Sequence, residues 1–421
     1  MSDFEKMMFG DDAGPSNKAP SFLDDSNPPF LSGPSTTTAP SFLDGLGGPS
    51  PTKATTQPAA VTLSSAERLS LTGETGVRWE LERVKILGKG SFGCATWYKQ
   101  NDRQSMANKR WRPMVVVKDI NVQTMVDRVE EMKNIENEVK VMKLLDGHPS
   151  CTQLVDYIDQ ANTTKMMYLF LEFCSGGDLN HMIEQHKTAN RMVHESVVAS
   201  VLIQVTMGLN YMHNSKGIFH RDIKPENIFF LEDKVTCRIG DFGISAILDS
   251  IGGSAKMACG SPFYMAPELF KESKYNYAVD MWSLGVMLYE LVALEKPFFS
   301  TNIGALNTQI VQGRCTPLRE RPGVAEHYSK DLTDLIMSLL TVDPAVRPTA
   351  RRLVRSGYFK ANLKFVPQDV LQHAAYAEVF GADVVKQTLP QCAHKGCGGN
   401  LAMAAPPGAQ VEEEYEDDFE D

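Results

Sequence analysis

The stretch GIFHRDIKPENIFF, residues 217–230, sets three reactive side chains within six positions and closes with apolar residues. Asp222 can take the proton of an incoming hydroxyl, Lys224 can neutralise charge on a group in transfer, and the amide oxygen of Asn227 suits a hard cation such as magnesium. These are tools of phosphate chemistry. A second carboxylate, Asp241 in IGDFGI, supplies the harder ligand that magnesium needs, on a turn loosened by Gly243. Upstream, LGKGSFGCA places Gly88, Gly90 and Gly93 between two strand-like runs, a turn whose backbone N–H groups can approach phosphate unhindered. A strand on both sides argues against a dinucleotide fold, where a helix should follow. Lys118 ends the run VVVK, and Glu138 lies in the helical stretch after it; alone each is a surface charge, but paired across a cleft they clamp phosphates.

Two kinds of element must hold these groups. From Trp79 the chain reads as strands: WELERVKILGKGSFGCATWY around the glycine turn, then MVVVKDI. Val129, Met132, Ile135, Val139 and Met142 follow at three- and four-residue steps and predict an amphipathic helix that stops at Gly147-His148-Pro149. Past the strand MMYLFLEFCSGGDL the period becomes helical, with Val197, Val198, Val201, Leu202, Val205, Leu209 and Met212 on one helix. YAVDMWSLGVMLYELVAL is apolar all round and must be buried. A strand-rich part (79–172) and a helix-rich part (178–360) are thus expected, with a ligand cleft between them.

The flanks differ. Residues 1–78 are rich in Pro, Ser, Thr and Gly and are expected to be disordered; residues 361–421 form an extension that ends in VEEEYEDDFED, a self-repelling acidic block. The net charge of −10 belongs to these tails, and the middle is close to neutral. No basic field for nucleic acid is left. There is no signal-peptide pattern and no apolar run of membrane-spanning length, so a cytoplasmic protein without a membrane span is expected. The eight cysteines sit in apolar contexts, as reduced thiols do. Cys392, His394 and Cys397 lack a fourth ligand and zinc-like spacing, and are read as a loop. APSFLD occurs at Ala19–Asp24 and Ala39–Asp44; it is either a duplicated linker or a pair of tethered docking peptides.

Taken in order, the Gly-rich loop, strand Lys118, helix Glu138, His220-Arg221-Asp222, Asp241-Phe242-Gly243 and Ala266-Pro267-Glu268 resemble the protein-kinase signature set over residues 79–360. Lys224-Pro225-Glu226 and Ser261 in GSPFY look like Ser/Thr kinases. FCSGGDL, Gly240 before Asp241, Phe229 after Asn227, and YSKDLTDLIMSLLTVDPAVRPTA are similar to the NIMA-related kinases. CGSPFYMAPE is shared with autophagy-initiating and calmodulin-dependent groups.

The resemblance implies an α+β bilobal kinase fold, with ATP and Mg2+ as cofactors and protein substrates as partners. It implies catalytic roles for Asp222, Lys224, Asn227, Lys118, Glu138 and Asp241, with metal at Asn227 and Asp241. Leu87, Gly88, Lys89, Gly90, Gly93, Ala95, Val116, Lys118, Asp178 and Phe229 would line the nucleotide. Leu171 would be the gatekeeper, and Glu172 and Cys174 would offer hinge backbone to adenine. Met142, Leu154, His220 and Phe242 would stack as a spine, Asp280 would anchor the catalytic loop, and Glu268 would pair with Arg347. Cytoskeletal or cell-cycle association follows from the resemblance alone.

Three departures stand out. Val116 replaces a usual alanine, which tightens the roof of the nucleotide pocket. The polar, basic segment between Ala95 and Val115 is expected to project as an insertion, solvated or used for docking. Arg221 implies an activation loop ordered by a phosphate, yet Met257 stands where the acceptor is expected, so Ser254 or Ser250 takes that role or an apolar contact replaces it. Ile244 goes with threonine as substrate acceptor. A kinase-fold scaffold without turnover, acting through its tails, is the alternative. The run with Val366, Val370, Leu371, Ala374 and Ala375 either packs on the large lobe or holds a partner.

Overall fold

A computed structural model of the chain describes residues 67–89, 93–125, 129–243, 245–247, 261–270 and 276–388. The small lobe is an antiparallel sheet of β1 (Arg68–Thr72), β2 (Arg78–Lys89), β3 (Gly93–Gln100), β4 (Met114–Asn121), β5 (Leu154–Gln160) and β6 (Met166–Glu172), ordered β1-β2-β3-β4-β6-β5. Strand alternation gives the sheet two different faces. Val115 and Val117 are buried with Trp79, Leu81, Tyr98 and Phe170 in a small core of their own, while Val116 and Lys118 point the other way and stay half-buried. That second face meets helix α1 (Val129–Leu145), whose Ile135, Val139 and Met142 are buried at the expected spacing. The helix stops where the sequence says it should, with Gly147 at φ 83°.

The expected boundary at residue 78 needs correcting. β1 pairs with β2, Leu69 opposite Leu81 and Leu71 opposite Trp79, so the ordered lobe includes residues 67–78. Its turn is held by the buried carboxylate of Asp156, which accepts from Thr75 Oγ1 at 2.6 Å and Trp79 Nε1 at 2.9 Å. RLSLT is too short to announce itself, and its order comes from cross-strand partners.

The segment after Ala95 does not project. Thr96–Gln100 belong to β3, and the rest folds back on the lobe. Trp111 Nε1 donates to Asp102 O at 2.7 Å, Asn108 Nδ2 to Thr75 O at 3.0 Å, and Arg110 reaches Leu154 O at 3.1 Å while pairing with Asp146. Asn108, Arg110 and Trp111 are thus bonded to the lobe, while Arg103, Gln104 and Lys109 stay exposed to solvent.

The large lobe is built on α2 (Leu179–Thr188), α3 (Glu195–Asn210) and α4 (Ala278–Ala293), followed by α5 (Ile303–Gln312), α6 (Val324–His327), α7 (Lys330–Leu339), α8 (Ala350–Val354) and α9 (Gly357–Asn362). α4 is buried along nearly its whole length, as its all-round apolar sequence requires. Two small ribbons carry the chemistry: β7 (Gly177–Asp178), β9 (Ile228–Phe230) and β10 (Cys237–Ile239) in one, β8 (Ile218–Phe219) and β11 (Ala246–Ile247) in the other.

Three further helices, α10 (Gln368–Leu371), α11 (Ala374–Phe380) and α12 (Ala382–Thr388), close the described chain. Val366, Val370, Leu371, Tyr376, Phe380 and Val385 join the main core, so this extension packs on the large lobe. Ala374, expected on that face, is exposed at the helix start. Among the described residues no helix is long and apolar enough to cross a membrane.

Candidate active site

The catalytic loop spans β8 to β9 and hangs from α4. Asp280 is fully buried there; Oδ2 accepts from His220 N at 2.9 Å and His213 Nε2 at 2.7 Å, and Oδ1 from Arg221 N at 2.8 Å. Burial alone would raise the Asp280 pKa, but the hydrogen bonds it accepts, from His213 first and from the His220 backbone, outweigh it and hold the carboxylate below its usual range. These bonds keep Arg221 in the left-handed region at φ 69°, a costly place for a bulky side chain.

The loop presents Asp222 with its oxygens already organised. Oδ1 accepts from Ser261 N at 3.0 Å, and Oδ2 from Lys224 Nζ at 2.6 Å and Asn227 Nδ2 at 3.1 Å. Asn227 Nδ2 also donates to Asp222 O at 2.8 Å. Both contacts use the amide nitrogen, which leaves Asn227 Oδ1 as the end offered to a cation. Lys224 is shared with Ser261 Oγ at 3.1 Å, so one ammonium bridges the base and the segment that follows the activation loop.

Phe242 is fully buried and meets the His220 ring edge-on at 5.4 Å. Met142 and Leu154 are buried in the same core as Phe242. Burial holds His220 neutral by lowering its pKa; Nε2 donates to Gly240 O at 3.1 Å, and Nδ1 accepts from Asp222 N at 3.2 Å. Asp241, at φ 60°, is turned out and exposed. The glycine before it is dictated by packing: a Cβ on Gly240 would lie 2.7 Å from the Phe229 ring and 2.8 Å from Thr152 Oγ1. The Phe229 ring thus lies against the glycine that precedes Asp241.

Across the cleft, Lys118 Nζ bonds both oxygens of Glu138, at 2.7 and 2.8 Å. Burial lowers the lysine pKa, but Glu138 and then Asp241 raise it further, so the ammonium persists. Asn137 Nδ2 donates to Ser245 O at 2.7 Å and ties α1 to the chain after Phe242. Around the lysine, Ala95 pairs with Lys118 and Leu171 with both Val116 and Leu154, which puts the expected roof and gatekeeper side by side.

The glycine loop divides its roles. A Cβ on Gly93 would sit 1.6 Å from Asp119 O, so the sheet itself requires that glycine, whereas Gly88 faces open space. Leu87 is exposed beside it, as is Lys89. At the hinge the Glu172 side chain pairs with Arg238 at 3.3 Å, and burial pushes the Cys174 thiol up to about 12, which makes it inert. Asp178 caps α2 by accepting from His181 N at 2.7 Å, leaving Oδ2 for any ribose contact.

Gly90, Ile244, Ser250, Ser254 and Met257 lie outside the described residues, as do the APSFLD repeats, Cys392, His394, Cys397 and the acidic tail. Glu268 and Arg347 form the expected buried pair, at 2.8 and 3.0 Å. The sequence reading missed His213 as an Asp280 partner and Ser261 as a direct contact of Asp222 and Lys224. Ser261 was visible in GSPFY, but only as a subfamily mark.

A family model of the protein kinase domain matches residues 81–359. The probable serine/threonine-protein kinase nek3 of Dictyostelium discoideum is 34% identical over 276 residues, 65% of this chain and 23% of that protein. Serine/threonine-protein kinase Nek4 of Mus musculus is 31% identical over 281 residues, covering 66% and 32%. The probable serine/threonine-protein kinase nek2 of Dictyostelium discoideum is 32% identical over 287 residues, covering 68% and 64%. The match thus spans less than two thirds of each of these relatives. With a bilobal fold, an assembled Lys118–Glu138 pair and an ordered catalytic loop, the chain belongs to the protein kinase family and is most similar to its NIMA-related members.

Proposed function

We propose that this chain transfers the γ-phosphoryl group of ATP to the hydroxyl of a Ser or Thr in a protein substrate. The observation that carries the proposal is the joining of the two halves of the site. Lys118 is locked onto Glu138 while Phe242 is buried against His220, an arrangement that turns Asp241 toward the cleft. Asp222 accepts or orients the hydroxyl proton, and its bonds to Lys224, Asn227 and Ser261 N hold the carboxylate in one orientation. Lys224 then faces the charge that develops in transfer, and Lys118 anchors the remaining phosphates.

Magnesium fits the donors present. Among the described residues no cluster of three or more His, Cys, Asp or Glu side chains is placed to hold a metal. Asn227 Oδ1 and the Asp241 carboxylate are two hard oxygen donors, the number expected for an ion that keeps its waters and shares phosphate oxygens. When bound, it would neutralise the phosphate charge. A scaffold without turnover gains no support from these residues, because each reactive group is kept and each is positioned.

Radiolabelled phosphate transfer to a basic protein tests the reading, with the purified chain compared against Asp222→Asn and a phosphatase-treated sample. Transfer that disappears in Asp222→Asn supports it; no transfer by any sample, with nucleotide still bound, returns the scaffold. The phosphatase arm, together with Ser254→Ala, tests loop phosphorylation as the activating event. Recruitment through the APSFLD repeats and the acidic tail is proposed as a second layer of substrate choice, to be tested by deleting them.

A further inference from the structure

The hinge between the lobes is anchored at both ends and bare in the middle. On the small-lobe side the ladder to β4 ends at Glu172, opposite Val115. On the large-lobe side the next anchor is Gly176, whose N–H donates to Phe230 O at 2.9 Å and whose Cβ position is already filled by Leu231 O at 2.2 Å. Among the described residues, no backbone hydrogen bond is made by Phe173, Cys174 or Ser175. Three residues of unpaired, partly exposed backbone at a cleft edge leave N–H and C=O groups that a ligand can bond.

One side chain from the sheet reaches this stretch. Trp97 lies opposite Val116 across β3 and β4, and Val116 lies opposite Leu171, so the three share the cleft-facing side of the sheet. The Trp97 ring stacks on Phe173 with centroids 4.5 Å apart and planes 14° from parallel. Its Nε1 is buried and has no hydrogen-bond partner among the described residues. A desolvated, unpaired N–H opposes burial, so the indole is held by its ring contact rather than by its polar tip.

We propose that Trp97 is a positioning residue for purine recognition: its stack on Phe173 fixes where the unpaired hinge backbone stands relative to the nucleotide. This rests on the kinase reading for the identity of the ligand. The consequence is specific to binding. Without the ring, the hinge N–H and C=O groups keep their chemistry but lose their register, so affinity and base selectivity fall together while the phosphate end of the site, at Lys118, Asp222 and Asp241, is untouched.

The test uses the full chain, with Mg-ADP and Mg-GDP titrated by calorimetry into wild type, Trp97→Phe and Trp97→Leu, and steady-state kinetics alongside. Trp97→Leu is expected to raise the ADP dissociation constant about tenfold, roughly the worth of an aromatic pair, and to narrow the ADP-over-GDP preference, with kcat at saturating ATP within about threefold of wild type. Trp97→Phe keeps a ring and should stay near wild type in all three. Unchanged ADP affinity in Trp97→Leu with only a lower melting temperature overturns the proposal, as does a loss in Trp97→Phe equal to that in Trp97→Leu. If wild type binds ADP but transfers no phosphate, the activity reading fails while the positioning role stands on the binding data. Wild type that binds no ADP overturns both.

Discussion

At Asp222 three donors converge on one carboxylate, and the physical effect is to fix its orientation toward an incoming hydroxyl. Asp222→Asn can still accept the Ser261 N–H but cannot take a proton, so transfer should fall at least a hundredfold, the scale of lost acid–base catalysis. ADP affinity should stay within about threefold because the change is remote from the hinge; calorimetry and a transfer assay on the same sample separate the two. The grouping of Asp222, Lys224 and Asn227, and the pairing of Lys118 with Glu138, were legible because residue types and their order are chemical. The partner of Asn227 Nδ2, by contrast, is a matter of geometry within the folded loop.

The glycine loop and the connection after α1 show how elements set their own requirements. A methyl on Gly93 collides with backbone at Asp119, so Gly93→Ala should destabilise by about 1–3 kcal/mol, whereas Gly88→Ala meets nothing within 4 Å and should leave stability within about 0.5 kcal/mol. Urea unfolding of both variants checks this. Past α1, His148 stacks on Tyr211 at 4.6 Å, and burial drives its pKa down to about 3. The folded protein therefore binds fewer protons than the unfolded chain. Stability from this group is complete above the ordinary histidine pKa of about 6.5 and is lost as pH falls toward 3, by about 1.4 kcal/mol per unit. His220, also buried neutral, adds to the same slope. His148→Gln should flatten the fall between pH 6.5 and 5 in urea unfolding, and an unchanged slope would remove His148 from this account. The helices were readable from spacing, while β1 and the folded-back loop before β4 were not, because their order comes from partners distant in sequence.

Over the whole molecule, buried charges tie distant parts of the large lobe to the site. Arg347, fully buried in its side chain, is held by Glu268 and stacks its guanidinium over Trp282 at 5.0 Å. Arg347→Ala removes the guanidinium countercharge from the buried Glu268 carboxylate and should cost about 3–5 kcal/mol; adding Glu268→Gln should restore part of that, by the melting temperatures of the single and double variants. Asp280 does the same for the catalytic loop, and Tyr376 and Phe380 extend the core beyond the residues that the kinase family model matches. By itself the sequence determined the kinase signature, the two-part architecture and the Glu268–Arg347 pair, because residue type, order and periodicity are local properties. Only the tertiary structure decided that Gly93 serves the sheet, that Asp178 caps a helix, that residues 366–388 pack on the large lobe, and that Trp97 reaches the hinge. Each of these depends on which distant atoms meet, and spacing along the chain carries no such distance.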